Sequence, residues 1–190
     1  MSDDEHSTDP VALTRRGFLQ RAAGCAGLVL APLGAAYAQG SRARSVSFVH
    51  THTGETLSVE YCCDGIYQAA RLAQVNQLLR DFRTGDVHPI DPQLLDVLYN
   101  LQALVDRDVT YEVISGYRSP QTNAQLRKVS HEVAEHSRHM DGRAIDVRVA
   151  GFPTRRLRDL ALSQQSGGVG FYAGSDFVHL DTGRVRTWTG

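Results

Sequence analysis

The chain has 190 residues and a mass of 20.9 kDa, with 42% hydrophobic and 22% charged side chains. This composition is typical of one soluble globular domain and excludes a disordered chain, a collagen-like fibre and a membrane bundle. The 20 lysines and arginines balance the 21 aspartates and glutamates. The basic excess that binds a phosphate backbone is therefore lacking, and we predict no nucleic-acid partner.

The first 38 residues have the layout of a secretory signal. Arg15-Arg16, within residues 14–20, matches the twin-arginine pattern, and Ala36-Tyr37-Ala38 has the small-x-small form of a cleavage site. The apolar stretch between them is shorter than the roughly 20 residues that a membrane-spanning helix needs. We predict a cleaved twin-arginine signal peptide over 1–38, one folded domain over 39–190, a periplasmic location and no stable membrane insertion after cleavage.

Hydrophobic periodicity predicts the elements of the mature domain in chain order. Alternation over 44–62 predicts a hairpin with its turn at Thr53-Gly54-Glu55, and helical spacing follows over 66–83. Asp91-Pro92 and Ser119-Pro120 are typical helix starts. The remaining predictions are helices from 92 to about 107, 120 to about 129 and 153–164, and strands at 109–114, 143–149, 170–172 and 177–180. This order predicts one small α+β domain with helices packed on a mostly antiparallel sheet.

Three side chains in the C-terminal half have the chemistry of metal ligands. Asp146 lies in an apolar strand, where a carboxylate is costly to bury unless a partner satisfies it. His139 precedes it across a glycine turn, and His179 lies in a second apolar strand. Zinc accepts imidazole nitrogen and carboxylate oxygen, and three protein ligands leave a fourth position for water. The spacing therefore suggests a catalytic zinc site.

Other interpretations of these residues stay open at this stage. Asp146 can instead pair with a nearby arginine, and a histidine on an apolar strand is often a core residue. His136 is a rival ligand to His139 if that segment is helical, although its polar surroundings favour a loop. His50 and His52 share one face of a predicted hairpin strand, where we expect both to be exposed.

Several motifs carry a resemblance to a known group of enzymes. Residues 137–146 have the form S-x-H-x-x-G-x-A-x-D, and further matching segments are 114–119 (ISGYRS), 167–172 (GGVGFY) and 177–183 (FVHLDTG). By these motifs the chain resembles the LAS zinc peptidases and, within them, the YcbK-like or murein endopeptidase K family. The resemblance covers nearly the whole mature chain. It implies a fold similar to that of hedgehog and D-Ala-D-Ala peptidases.

The resemblance implies a role for each motif residue. The zinc ligands fall on His139, Asp146 and His179. Arg118 falls where the wider group holds an arginine near the substrate, and its guanidinium fork suits a terminal carboxylate or a developing oxyanion. A structural salt bridge is the alternative for Arg118. Ser137 either orients substrate or caps the loop.

The general base has two candidates. The wider group places a carboxylate three residues before the last histidine, which is Asp176 here. On a regular strand, an offset of three points to the opposite face. Asp181, two residues after His179, shares its face and matches the F-V-H-x-D pattern of the closer family. We favour Asp181 as the base, with the alternative that it orients a metal ligand.

These inferences together predict that residues 39–190 form a zinc peptidase domain that acts on peptidoglycan peptides. The resemblance implies an endopeptidase that opens cross-links between meso-diaminopimelate residues or from D-alanine to diaminopimelate. One alternative is a D,D- or L,D-carboxypeptidase that trims stem peptides. The other is a non-catalytic zinc-containing module that binds the cell wall.

Overall fold

The computed structural model describes residues 43–190 except 106, 131 and 132. The strands in this part of the chain are β1 (Arg44–His50), β2 (Thr56–Cys63), β3 (Ile66–Tyr67), β4 (Tyr111–Ser115), β5 (Ala144–Val149), β6 (Gly168–Tyr172), β7 (Phe177–Asp181) and β8 (Arg186–Thr189). The helices are α1 (Ala69–Leu78), α2 (Pro92–Gln102), α3 (Pro120–Arg127) and α4 (Thr154–Ser163), with a short 3-10 helix at Arg138–Asp141. The signal peptide predicted over 1–38 lies outside the described residues and stays a prediction.

The strands form one sheet in the order β3-β2-β1-β4-β5-β7-β6-β8. Neighbours are antiparallel except for β1 beside β4 and β6 beside β8, which are parallel. The predicted α+β class with a mostly antiparallel sheet is thus confirmed. β5 is buried at nearly every position, so both of its faces are covered. Polar side chains on this strand are therefore held inside the protein.

The helices begin where their capping residues predict. Asp91 accepts a hydrogen bond from the Gln93 N–H at 3.0 Å, and Ser119 accepts one from the Thr122 N–H at 3.2 Å. The helices α1, α2 and α4 contact strands of the sheet. The buried face of α2 consists of Leu94, Leu95, Leu98 and Leu101. Burial of each leucine contributes about 2 kcal/mol. No helix among the described residues has the length and apolar character needed to cross a membrane.

Some element boundaries differ from the sequence prediction. The helix predicted over 66–83 is the strand β3 followed by the shorter helix α1, because β3 pairs with the end of β2. The chain turns after α1, where Asp81 accepts hydrogen bonds from the backbone N–H groups of Arg83 and Ser119. The helix predicted to run from 92 to about 107 ends at Gln102. β8 has no counterpart in the prediction.

His50 and His52 differ in exposure, so the expectation was wrong for His50. The His50 side chain is fully buried and packs edge-on against the Phe82 ring at 5.5 Å between ring centres. Its Nδ1 accepts a hydrogen bond from the His52 N–H at 3.2 Å, and burial lowers its pKa. His52 is exposed and stacks on the same Phe82 ring at 4.1 Å. The loop after α1 brings Phe82 onto the hairpin, which strand alternation alone does not reveal.

Candidate metal centre

His139, Asp146 and His179 lie together although they belong to three separate elements. His139 is in the 3-10 helix, Asp146 in β5 and His179 in β7, and one ligand atom from each lies within 4.8 Å of the other two. Asp146 and His179 are directly opposite each other in the antiparallel β5–β7 pair, so their side chains share a face. All three side chains are buried. The fold therefore brings together the three side chains proposed as ligands.

The 3-10 helix that carries His139 is held at both ends. Ser137 precedes it, and its hydroxyl accepts a hydrogen bond from the His139 N–H at 3.4 Å. Gly142 ends it with φ +66°, and a Cβ at that position would lie 2.1 Å from the Pro89 carbonyl oxygen. Glycine is therefore required there for both conformation and space. The Gly142 carbonyl accepts a hydrogen bond from the Asp91 N–H at 2.9 Å, which joins the turn to the start of α2.

Hydrogen bonds fix which nitrogen of each histidine faces the centre. His139 Nδ1 donates to the Gly116 carbonyl at 2.7 Å, which leaves Nε2 with a lone pair. His179 Nε2 donates to the Asp181 carboxylate at 3.2 Å, so Nδ1 is the nitrogen that faces Asp146. Such outer bonds to a carbonyl or a carboxylate are the usual way in which metal-binding histidines are oriented.

The inward-facing atoms fit a divalent metal ion. His139 Nε2 lies 3.2 Å from His179 Nδ1 and 3.2 Å from one Asp146 oxygen, and His179 Nδ1 lies 2.8 Å from the other Asp146 oxygen. Lone pairs this close repel one another unless a proton or a cation lies between them. Two imidazole nitrogens and a carboxylate make up a known three-ligand donor set for zinc.

The three groups also shift one another's pKa. Burial lowers the pKa of His139, which keeps its ring neutral and able to bind metal. Burial opposes the charge of Asp146, but contact with His139 and His179 outweighs burial and holds the pKa of Asp146 well below its usual range. Burial also opposes a charge on His179, but hydrogen bonds to Asp146 and Asp181 outweigh it and raise the pKa of His179. Of the two histidines, His179 is thus the one whose positively charged form the fold favours.

Asp181 lies behind the ligand group and does not line the cleft in front of it. Its Oδ2 accepts hydrogen bonds from His179 Nε2 and, at 2.6 Å, from Arg186, while its Oδ1 accepts one from the Gly183 N–H at 2.7 Å. Its side chain is fully buried. Burial opposes its charge, but the bonds to His179 and Arg186 outweigh burial and hold the pKa of Asp181 low. This geometry does not support Asp181 as the base and agrees with the alternative, a residue that orients His179.

Asp176 points away from the ligand group. It lies in the turn before β7 with φ +52°, and its carboxylate accepts a hydrogen bond from the Thr154 hydroxyl. It lies 3.9 Å from the Arg148 guanidinium and lines a separate depression that includes Glu112. Asp176 is therefore at the entry to the strand, and the turn directs its side chain towards Thr154 and Arg148. This placement does not support Asp176 as the base.

A cleft of about 370 Å³ opens onto the three ligands, and both predicted substrate-binding residues line it. Arg118 is 11% exposed, its NH2 lies 3.6 Å from Asp146, and its NH1 donates to Asn123 at 3.5 Å. Its buried Nε has no hydrogen-bond partner among the described residues. An unsatisfied buried donor costs about 1–3 kcal/mol, and a substrate oxygen would remove that cost. The Ser137 hydroxyl caps the 3-10 helix at the cleft wall.

Three residues of the cleft wall were not predicted from the sequence. Tyr172, Arg186 and Trp188 line the cleft from β6 and β8. The Trp188 indole N–H donates to the Tyr172 hydroxyl at 3.0 Å, and its ring centre lies 5.2 Å from that of His179. Closely spaced glycines in β6 are a sequence signal for this arrangement, because a glycine inside a strand often marks the close approach of another segment.

His136 also lines the cleft, but its ligand atoms do not converge with those of the three ligands. The segment that holds it is irregular and is not an α-helix, so the condition for His136 to replace His139 is not met.

Comparison with known proteins gives consistent matches over the same region. A family model described as peptidoglycan L,D-endopeptidase MepK matches residues 38–188. The chain is 45% identical over 148 residues to the probable peptidoglycan L,D-endopeptidase MepK of Haemophilus influenzae. The matched region covers 77% of this chain and 80% of that protein. It is 42% identical over 147 residues to the peptidoglycan L,D-endopeptidase MepK of Escherichia coli K12. That matched region covers 77% of this chain and 81% of the relative. The protein of the same name from Shigella flexneri matches to the same extent.

Proposed function

Because the chain belongs to the peptidoglycan L,D-endopeptidase MepK family of M15 peptidases, we propose that it hydrolyses L,D peptide cross-links of peptidoglycan at a zinc ion held by His139, Asp146 and His179. The observation that carries the proposal is the convergence of these three buried side chains at a cleft. The relatives matched over this domain bear the name of that activity.

Zinc is the metal that best suits this donor set. It commonly binds imidazole nitrogen and carboxylate oxygen in catalytic sites with three protein ligands. When bound, zinc activates a water molecule and polarises the scissile carbonyl group. The outer hydrogen bonds of His139 and His179 leave one ring nitrogen of each residue with a lone pair that would bind the ion.

The charge of the cleft favours an anionic peptide. Three arginines line it, Arg118, Arg138 and Arg186, whereas Asp146 is the one acidic side chain among its described lining residues. The Arg138 side chain forms no ion pair within the described part of the chain. Diaminopimelate-containing peptides carry free carboxylates, which guanidinium groups bind through paired hydrogen bonds. Arg118, whose Nε is unsatisfied, is the side chain best placed to bind a substrate oxygen beside the ligands.

Neither Asp176 nor Asp181 lines the cleft that opens onto the three ligands, so we looked among the cleft residues for a proton acceptor. Of the described cleft residues that are not ligands, His136 is the one of a type that exchanges protons near neutral pH. We infer that His136 takes the proton of the attacking water and returns it to the leaving amine.

We also propose that the folded chain reaches the periplasm by the twin-arginine pathway. Support comes from Arg15-Arg16 and from the family match, which begins at residue 38 beside the predicted cleavage site. A chain with both arginines replaced by lysine is expected to stay uncleaved in the cytoplasmic fraction. Its recovery in the periplasm, processed, would contradict this route.

Digestion of purified peptidoglycan tests the activity directly. The full chain is incubated with peptidoglycan that contains both L,D and D,D cross-links, with zinc, with a chelator, or with a chelator followed by zinc. The products are separated and identified by mass spectrometry. We expect loss of L,D-linked dimers, no loss in chelator and recovery when zinc is restored.

Any other result of the digestion would contradict one specific part of the proposal. Loss of D,D-linked dimers would change the bond that is cut. Shortened monomer peptides beside intact dimers would make the enzyme a carboxypeptidase. Zinc binding without any product would identify a binding module, and hydrolysis that persists in chelator would remove the metal from the mechanism.

A further inference from the structure

Two glycines in β6 leave room for side chains of β8 to cross over that strand. Gly168 pairs with Arg186, and Gly170 pairs with Trp188, in the parallel β6–β8 register. A Cβ at Gly168 would lie 2.4 Å from the Arg186 guanidinium and 2.5 Å from the Asp181 carboxylate. A Cβ at Gly170 would lie 2.6 Å from the Trp188 ring. Any other residue at these positions would therefore displace the β8 side chains.

Arg186 uses this space to reach Asp181 on β7. Its NH2 lies 2.6 Å from Asp181 Oδ2 and its NH1 lies 3.1 Å from Oδ1, so the guanidinium binds both carboxylate oxygens. The same Oδ2 accepts the hydrogen bond from His179 Nε2 at 3.2 Å. The three side chains form a continuous line from the last strand of the sheet to the ligand group.

From this geometry we propose that Arg186 is a positioning residue, which acts through Asp181 to orient His179 as a metal ligand. The inference rests on the metal site of the proposed function. A buried carboxylate without a cationic partner is costly. Backbone N–H groups of Gly183 and Gly168 donate to Asp181 Oδ1, whereas Oδ2, the oxygen that faces His179, has Arg186 as its other partner. The Arg186 fork supplies the positive charge and holds both oxygens. Asp181 then accepts from His179 Nε2, and Nδ1 keeps its lone pair for the ion.

The arginine side chain suits this role better than lysine does. A guanidinium group donates two parallel hydrogen bonds to one carboxylate, whereas an ammonium group is a point charge without that directionality. Arg186 is also about one-third exposed and lines the cleft, so direct contact with substrate is the competing role. A test must therefore read out the metal site without substrate.

The test compares Arg186→Gln and Arg186→Lys with Arg184→Gln as the matched control. Arg184 is exposed, lies two residues away and forms no side-chain ion pair in the described chain. Zinc affinity of the full chain is measured by competition with a chromophoric chelator, and the His179 tautomer is read from ¹⁵N chemical shifts of the zinc-free chain at a pH where its imidazole is neutral. We expect zinc binding to weaken about 10- to 100-fold in Arg186→Gln, less in Arg186→Lys and not at all in Arg184→Gln. The Nε2–H tautomer should lose population in the same order.

A double-variant cycle with Asp181→Asn tests whether Arg186 acts through Asp181. If it does, Arg186→Gln adds little further loss of zinc affinity to a chain that already carries Asp181→Asn. This comparison holds even if Arg186→Gln alone is too unstable to study, because Arg186→Lys can replace it in the cycle.

Two results would overturn the inference. One is zinc affinity and a His179 tautomer in Arg186→Gln equal to those of the parent chain, with only KM for peptidoglycan raised, which would make Arg186 a substrate contact. The other is full additivity in the cycle. Both are distinguishable from failure of the proposed function, because a parent chain that binds zinc but hydrolyses nothing leaves the affinity comparison intact.

Discussion

The ring orientation of each ligand histidine is set by a hydrogen bond to a group on the side of the ring away from Asp146. His139 has the Gly116 carbonyl behind it, and His179 has Asp181. These bonds select the nitrogen that each ring presents to Asp146 and remove the rotational freedom that a metal ion would otherwise have to freeze. Two carboxylates close to His179 in sequence therefore differ in role, because one lies behind the ring and the other faces away from the site.

The proton-transfer assignment predicts different effects for His136 and Asp176. His136→Gln keeps a polar side chain in the cleft but removes the proton acceptor, so we expect kcat to fall about 100-fold or more with zinc content unchanged. Asp176→Asn serves as the control and is expected to retain activity, because its carboxylate binds Thr154 outside the cleft. The measurement is steady-state hydrolysis of a cross-linked muropeptide. Loss of activity in Asp176→Asn but not in His136→Gln would reverse the assignment.

A second prediction concerns the role of the Arg118 side chain in substrate binding. Arg118→Lys keeps a positive charge but loses the guanidinium fork beside Asp146, so we expect kcat/KM to fall about 100-fold while zinc is retained. Arg127→Lys is the matched control, since Arg127 is exposed and pairs with Glu135 at 3.5 Å. Both variants are compared by muropeptide kinetics and by metal analysis. A lysine variant with unchanged kinetics would assign Arg118 to a structural ion pair.

Among the helices and strands, the sequence prediction was correct where a capping motif sets the boundary and wrong where pairing with a distant strand sets it. The starts of α2 and α3 agree with the sequence prediction because an Asp-Pro or Ser-Pro pair acts within one helical turn. The region 66–83 does not agree, because the pairing of β3 with β2 competes with its helical periodicity. The 3-10 helix that holds His139 depends on both kinds of contact. Its cap is local, but the space at Gly142 is set by Pro89.

Gly142→Ala is therefore expected to destabilise the fold near the metal site. The alanine would adopt an unfavourable positive φ, which costs about 1–3 kcal/mol, and its Cβ would collide with the Pro89 carbonyl. Gly85→Ala is the matched control, because Gly85 has φ +80° but nothing within 4 Å of an added Cβ. The change in unfolding free energy is measured from urea midpoints. A Gly142 effect no larger than that of Gly85 would show that the Pro89 contact relaxes freely.

For the molecule as a whole, a proton and a zinc ion compete for the buried His179 side chain. The free energy of unfolding therefore depends on pH and on zinc. The pKa of His179 is raised in the metal-free fold. Its positive charge therefore stabilises the metal-free protein fully below the unfolded histidine pKa of about 6.5, and this stabilisation is lost as pH rises through the raised folded pKa. His139, whose pKa is lowered, is already neutral in this range.

We expect zinc to raise the unfolding temperature more strongly as pH increases from 5 to 8. Below the pKa of His179 each zinc ion displaces one proton, so the apparent affinity falls about tenfold per pH unit. At a free zinc concentration of 100 times Kd the ion stabilises the fold by about 2.7 kcal/mol. Thermal unfolding with zinc and with a chelator, followed across this pH series, measures the difference. A zinc effect of constant size from pH 5 to 8 would contradict the assignment of His179 as a ligand.

The amino-acid sequence alone was sufficient to predict the donor types, their spacing, the helix caps, the first hairpin and the α+β class. These follow from local chemistry, since a cap acts within one turn and alternation reports the two faces of a strand. The three-dimensional fold was needed to show that Asp181 lies behind His179, that Asp176 faces away from the cleft and that Arg186 and Trp188 cross β6. Those facts depend on contacts between segments far apart in the chain, and sequence periodicity carries no information about which strand becomes the neighbour of another.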